Sequence, residues 1–252
     1  MQDTEQSKCL SCSYASECRH TGMSYVGEPE GILFIGLEPS DEEDLAGRLL
    51  VDRSGIRLKL LAKQHLTVPW AYTTVLGCFT HDKQPQKENL MTCWRLWGTK
   101  HLAGLNPKII VCFGVDAATV LVHGQARKPA GFTIEKTRGK MFEVNGIPLM
   151  ITYSPKATLG KHSTSQKYFD AFLADLKRAN EYCMTGELKR FTPQFVDELP
   201  ERDVMVVDIE TTALRPWKGR MLRVGMSGPD GKECVIKENV DGSVFRPRAG
   251  GS

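Results

Sequence analysis

The chain has 252 residues, 41% hydrophobic and 25% charged, a balance that supplies a packed core and excludes an intrinsically disordered polymer. A formal net charge of +3 at pH 7 permits a polyanionic partner without demanding one, so charge is a weak pointer to nucleic acid. No apolar run approaches the roughly 18 residues a membrane-spanning helix needs, and the polar stretch from Met1 to Lys8 lacks the apolar region of a signal peptide, so a cytosolic protein is expected.

In chain order, residues 1–183 alternate apolar runs of strand character with segments of helical period. A strand is predicted over 31–36 and a helix over 54–65. A second strand follows at 71–76, a helix at 87–103, a strand at 108–113 and a helix at 115–121. The last pair is a strand over 147–153 and a helix over 165–182. Such βαβ alternation predicts an α/β fold, a three-layer αβα sandwich with a central, mainly parallel sheet. Pro107 and Gly114 bracket one strand with tight connections, and the loops at the C-terminal edge of such a sheet are where ligands bind.

Residues 184–202 are polar and proline-bearing and read as a linker. Beyond it, 203–245 form a short β-rich unit in which Val206-Val207-Asp208-Ile209-Glu210-Thr211-Thr212 is an apolar strand ending in two acids, and 246–252 read as a tail. Alternation puts Asp208 and Glu210 on one side of their strand, where two carboxylates can share divalent metal for phosphodiester hydrolysis. With so few residues after the linker, the chain is expected to stop inside this second domain.

Eight cysteines without a secretion signal point to metal ligands, catalytic groups or small core residues rather than disulfides. Cys9 and Cys12 form a C-x2-C pair, and Cys78 and Cys93 a second pair much later. Four thiolates can close a tetrahedral zinc site or hold a 4Fe-4S cluster, and spacing does not separate the two. Buried cysteines with no metal are a third reading.

The order of motifs is more specific. After the C-x2-C pair come Leu33-Phe34-Ile35-Gly36, Glu38-Pro39, Glu42-Glu43-Asp44, Gly47-Arg48, Gly55 and Thr73-Thr74-Val75-Leu76-Gly77-Cys78. Then follow Glu88, Cys93, Pro107-Lys108-Ile109-Ile110-Val111, Gly114, Ala117, Arg138-Gly139 and Ile151-Thr152-Tyr153-Ser154-Pro155. This series resembles the family 4, iron-sulfur uracil-DNA glycosylases. The resemblance implies a 4Fe-4S cluster on Cys9, Cys12, Cys78 and Cys93, acting as a clasp, and places Cys18, Cys112, Cys183 and Cys234 outside the ligand set.

It also implies four functional positions, and all four have changed. Leu37 stands where the family's water-activating carboxylate belongs, Leu50 at the stacking aromatic, Thr74 at the base-reading amide and Ser154 at the histidine of the H-P motif. Glu38 or Asp41 would have to substitute for the lost carboxylate in a divergent, still active glycosylase. The preferred expectation is a DNA-associated domain with degenerate catalysis, its phosphate contacts supplied by Arg48, Arg138 and Lys156. A protein-interaction module of a replisome is the third expectation.

Residues 206–212 resemble the first motif of DEDD-type 3'-5' exonucleases, with Mg or Mn bound only in a complete domain. The two resemblances together imply the N-terminal part of a phage-type family A DNA polymerase, in a bacterial or phage-infected cytoplasm, with DNA and replication proteins as partners.

Overall fold

The computed structural model describes residues 9, 12–81, 85–125, 127–160 and 163–187, and the backbone of four strands between 194 and 237. The chain divides into two compact units, residues 1–188 and 189–252.

The first unit is built on a six-stranded sheet. Its strands are β1 (Val26–Gly27), β2 (Ile32–Gly36), β3 (Trp70–Thr74), β4 (Ile109–Phe113), β5 (Met141–Val144) and β6 (Ile147–Thr152), in the spatial order β1-β3-β2-β4-β6-β5. The four inner strands are parallel, and the short edge strands β1 and β5 pair antiparallel. Every residue of β2 and β4 is buried, as expected of strands covered on both faces.

Strand alternation sorts the apolar side chains into two cores. Leu33, Ile35, Ile110, Cys112, Leu149 and Ile151 face one side, and Ile32, Phe34, Ile109, Val111 and Met150 the other. Helices α1 (Asp41–Ala46) and α2 (Arg53–His65) follow β2, and α3 (Lys87–Cys93) and α4 (Thr99–Leu105) follow β3. Helices α5 (Val115–His123), α6 (Ile134–Thr137) and α7 (Ser163–Thr185) complete the unit. Leu90, Leu102, Leu105, Ala117 and Val120 cover the first core, while Leu58 and Leu61 of α2 cover the second with Phe172, Leu176 and Ala179 of α7. The three-layer α/β architecture expected from the sequence is therefore the observed one.

The details depart from the sequence in three places. The helix expected over 87–103 is interrupted by a wide π turn at Trp94–Gly98. The Trp94 ring packs where a Cβ on residue 98 would sit, so glycine is required there. A hairpin joins β5 to β6 through Asn145 and Gly146, both at positive φ, the backbone of a type I′ turn. Residues expected to be linker contribute a strand: β7 (Gln194–Phe195) pairs parallel with β10 (Glu233–Lys237). β10 in turn runs antiparallel to β9 (Met221–Ser227), itself antiparallel to β8 (Val206–Thr211), making the four-stranded sheet of the second unit. Asp208 and Glu210 lie in β8, and their side chains fall outside the described residues.

A buried carboxylate ties α7 to the sheet. Asp175, 4% exposed, accepts hydrogen bonds from Arg138 Nε at 2.8 Å, Arg138 Nη2 at 3.2 Å and the Thr152 hydroxyl at 2.5 Å. Burial outweighs these donors and holds the Asp175 carboxyl above its ordinary range. Its contribution to folding is therefore fully present in acid and declines as pH rises through the folded-state titration. Arg138→Met removes the main opposing charge and should cost about 2 kcal/mol near neutrality. Urea denaturation at about pH 5 and about pH 7.5 should show a larger fall in midpoint for the variant than for the parent, and equal falls would refute this role.

Candidate functional site

A cleft of about 560 Å3 opens at the C-terminal edge of the parallel strands, the place where open α/β sheets bind ligands. Its walls come from five chain segments: the β2–α1 loop, the start of α2, the loop after β3, the β4–α5 junction and Ser154-Pro155-Lys156 after β6.

Local hydrogen bonding fixes the first wall. Ser40 caps α1 in a capping box, its hydroxyl accepting from Glu43 N while the Glu43 carboxylate accepts from Ser40 N at 2.8 Å. The other Glu43 oxygen accepts from the backbone N–H of Leu50, whose φ is +60°. Asp52 caps α2, accepting from Gly55 N and the Ser54 hydroxyl, both at 2.7 Å. Two glycines are dictated by close approach: a Cβ at Gly36 would collide with the Tyr72 hydroxyl, and one at Gly55 with the backbone of Leu50.

The four positions implicated by motif order are all occupied with structural work. Leu37 packs against the first core, and Leu50 is 3% exposed in the second. The Thr74 hydroxyl donates to Leu76 O at 2.6 Å, and the Ser154 hydroxyl accepts from Lys156 N at 3.2 Å. Leu37, Leu50 and Ser154 line the cleft, whereas Thr74 does not. Glu38 also lines it, and its carboxylate accepts from both the backbone N–H and the hydroxyl of Thr80, at 3.1 and 2.7 Å. Asp41 is an exposed rim residue paired with Arg19 at 3.3 Å.

Three lining groups escaped the sequence reading: the aromatic side chains Tyr72, Phe79 and Phe113. Phe79 directly follows Cys78, and Tyr72 and Phe113 belong to strands whose alternation was legible, but only the folded sheet shows that they surround one space. Asp52 and Asp116 were missed in the same way. Among the three basic residues expected to contact phosphate, Arg48 and Lys156 are exposed, and Lys156 lines the cleft. Arg138 differs from the other two: its guanidinium donates to Asp175 and to Ala171 O.

A second, small apolar pocket is lined by Cys9, Cys12, Cys78 and Cys93, with Tyr14, Leu76 and Trp97 among its walls. The C-x2-C turn is closed by Cys12 N donating to Cys9 O at 3.0 Å, and Gly77 N donates to Cys93 Sγ at 3.2 Å. Burial raises the thiols of Cys9, Cys78 and Cys93, the last to about 11. Cys18 lies beside Cys78, closer to the pocket than its place outside the motif suggested. Among the described residues no three His, Cys, Asp or Glu side chains converge closely enough to hold a metal ion as they stand. The donor chemistry nevertheless suits one. Four soft sulfurs border one apolar space, and the buried indole N–H of Trp97, a donor suited to sulfur, lies beside Cys9 on the same wall.

Residues 23–177, more than half of the chain, match the uracil DNA glycosylase superfamily. Similar proteins include a type-4 uracil-DNA glycosylase of Archaeoglobus fulgidus, 27% identical over 186 residues that cover 69% of this chain and 88% of the relative. Another, from Thermotoga maritima, is 26% identical over 69% of this chain and 89% of its own length. A third, from Saccharolobus solfataricus, is 24% identical over 62% and 74% respectively. Fold, cleft position and motif order agree with this match, and the chain belongs to the uracil-DNA glycosylase superfamily.

Proposed function

We propose that this chain is a DNA-associated member of the superfamily that receives an extruded base in its cleft without the family's catalytic apparatus. One observation carries this reading: the cleft is intact, while the side chains at all four motif positions are committed to packing or to local hydrogen bonds. A space of about 560 Å3 lies within the usual range for small-molecule sites, and aromatic walls suit the flat face of a base taken out of its stack. Leu37 can neither polarise water nor accept its proton. Thr74 offers a single hydroxyl, already donated, where a side-chain amide would offer a paired donor and acceptor.

Exposed Arg48, and Lys156 on the wall of the cleft, supply phosphate contacts. Arg48→Glu and Lys156→Glu should each weaken binding to single-stranded DNA and lower the slope of log affinity against log salt by about 1; unchanged slopes would count against the assignment. Chemistry is tested by single-turnover incubation with a uracil oligonucleotide followed by alkaline cleavage. No abasic product is expected. Product that disappears with Glu38→Gln or Asp41→Asn would replace this reading with that of a divergent glycosylase.

In the same reading Cys9, Cys12, Cys78 and Cys93 hold a 4Fe-4S cluster, which would bind the N-terminal segment to the loop and helix after β3. A group bound only by the folded arrangement adds its binding energy to folding. Anaerobically purified protein should absorb broadly near about 400 nm, and Cys93→Ser should abolish the band and lower the unfolding midpoint. Colourless protein with stoichiometric zinc would overturn the cluster assignment.

For the second unit, the spacing of Asp208 and Glu210 in β8 supports an exonuclease-like divalent-metal site, as in a proofreading polymerase. The reading fails if the chain binds no Mn, or binds it equally well with Asp208→Ala.

A further inference from the structure

The polar side chains of the cleft are strongly one-sided in charge. Glu38, Asp41, Glu42, Glu43, Asp52 and Asp116 line it, against one cation, Lys156, among the described residues. Asp41 has its ion pair with exposed Arg19. The hydrogen bonds of Glu43 and Asp52 come from backbone N–H groups and a hydroxyl, which orient a carboxylate without cancelling its charge. Asp116, in the first turn of α5, is exposed to the cleft and makes no ion pair or side-chain hydrogen bond among the described residues. Apposed walls of one sign focus the field into the space between them.

A second observation, independent of the acids, points to a ligand. Tyr72 is 8% exposed and lines the same cleft, yet its hydroxyl makes no hydrogen bond among the described residues. It sits against Gly36, whose missing side chain leaves room for it, and is close enough to Glu43 and Asp52 to feel both charges. On a residue this buried, a hydroxyl that opens on the cleft without a protein partner has its hydrogen-bonding capacity left for whatever enters. Phe79 and Phe113 add aromatic surface to the same walls.

These features oppose the superfamily's named substrate. When the glycosidic bond to uracil breaks, negative charge develops on the departing base, and a cleft lined with carboxylates disfavours that charge. They favour the opposite sign. Carboxylates attract a positively charged ring and accept from its amino group, and aromatic faces attract a cation through their quadrupole.

Building on the base-receiving reading above, we propose that the cleft selects a nucleobase bearing positive charge, the class made by alkylation of a ring nitrogen, with Asp116 and Tyr72 as the recognising groups. Such a base is also poorly paired where the alkyl group blocks its pairing edge, so its extrusion costs less.

The test uses the full chain and four single-stranded oligonucleotides that differ at one central position: N1-methyladenine, cationic at neutral pH, adenine, uracil or an abasic spacer. Fluorescence anisotropy should show the methyladenine strand binding about tenfold more tightly than the other bases. Asp116→Asn and Tyr72→Phe, each verified as folded by circular dichroism, should each narrow that preference about threefold. If adenine or uracil exceeds the spacer but methyladenine gains nothing further, the charge inference falls and base reception stands. Equal affinity for all four strands would overturn both.

Discussion

The site depends on how the chain leaves β2. That strand lies inside the parallel array, with β3 on one side and β4 on the other, so the connections β2 to β3 and β3 to β4 run in opposite directions along the sheet. The crevice between them cannot be filled by either connection, and the loops around it are held by strand order together with the side-chain caps of α1 and α2 and the Glu38–Thr80 hydrogen bonds. Its geometry belongs to strand order and to a few close approaches, such as Gly36 under Tyr72 and Gly55 against Leu50, and not to the residues that would perform a reaction.

Form and chemistry are therefore separable here. Leu37 gains a place in the apolar core, Leu50 fills the second core, and the hydroxyls of Thr74 and Ser154 close short turns. Each of the four side chains satisfies its local surroundings. The polar character of the cleft comes from other residues, Asp52 and Asp116 among them, and its aromatic character from Tyr72, Phe79 and Phe113.

How much of this was legible in the sequence follows from the range of the forces involved. The inner strands could be read because β2 and β4 are buried along their whole length and appear as unbroken apolar runs. The β5–β6 hairpin was not read, although Asn145-Gly146 is a strong turn signal, because its first strand, Met141 to Val144, is only four residues long. The floor of the cleft could not be read. Tyr72 and Phe113 are ordinary strand residues until sheet order places them side by side, their ring centroids 6.1 Å apart. Arg138 shows the converse limit: a loop arginine beside a glycine looks free to meet phosphate until α7 brings Asp175 to it across 37 residues of chain. Likewise, Cys18 has no motif of its own, and only folding sets it beside Cys78.

The π turn at Trp94–Gly98 has a geometric consequence for the helical segment that carries Cys93. An α-helix turns about 100° per residue, and a wide turn absorbs one extra residue, so the faces before and after it are out of phase by about that angle. Before and within the turn Cys93 and Leu96 border the sulfur-lined pocket while Leu90 meets the first core; after it, Leu102 and Leu105 meet that same core. The wide turn thus sets where the second half of the rod returns to the sheet. Deleting a single residue there would tidy the helix and aim one of its two halves in the wrong direction.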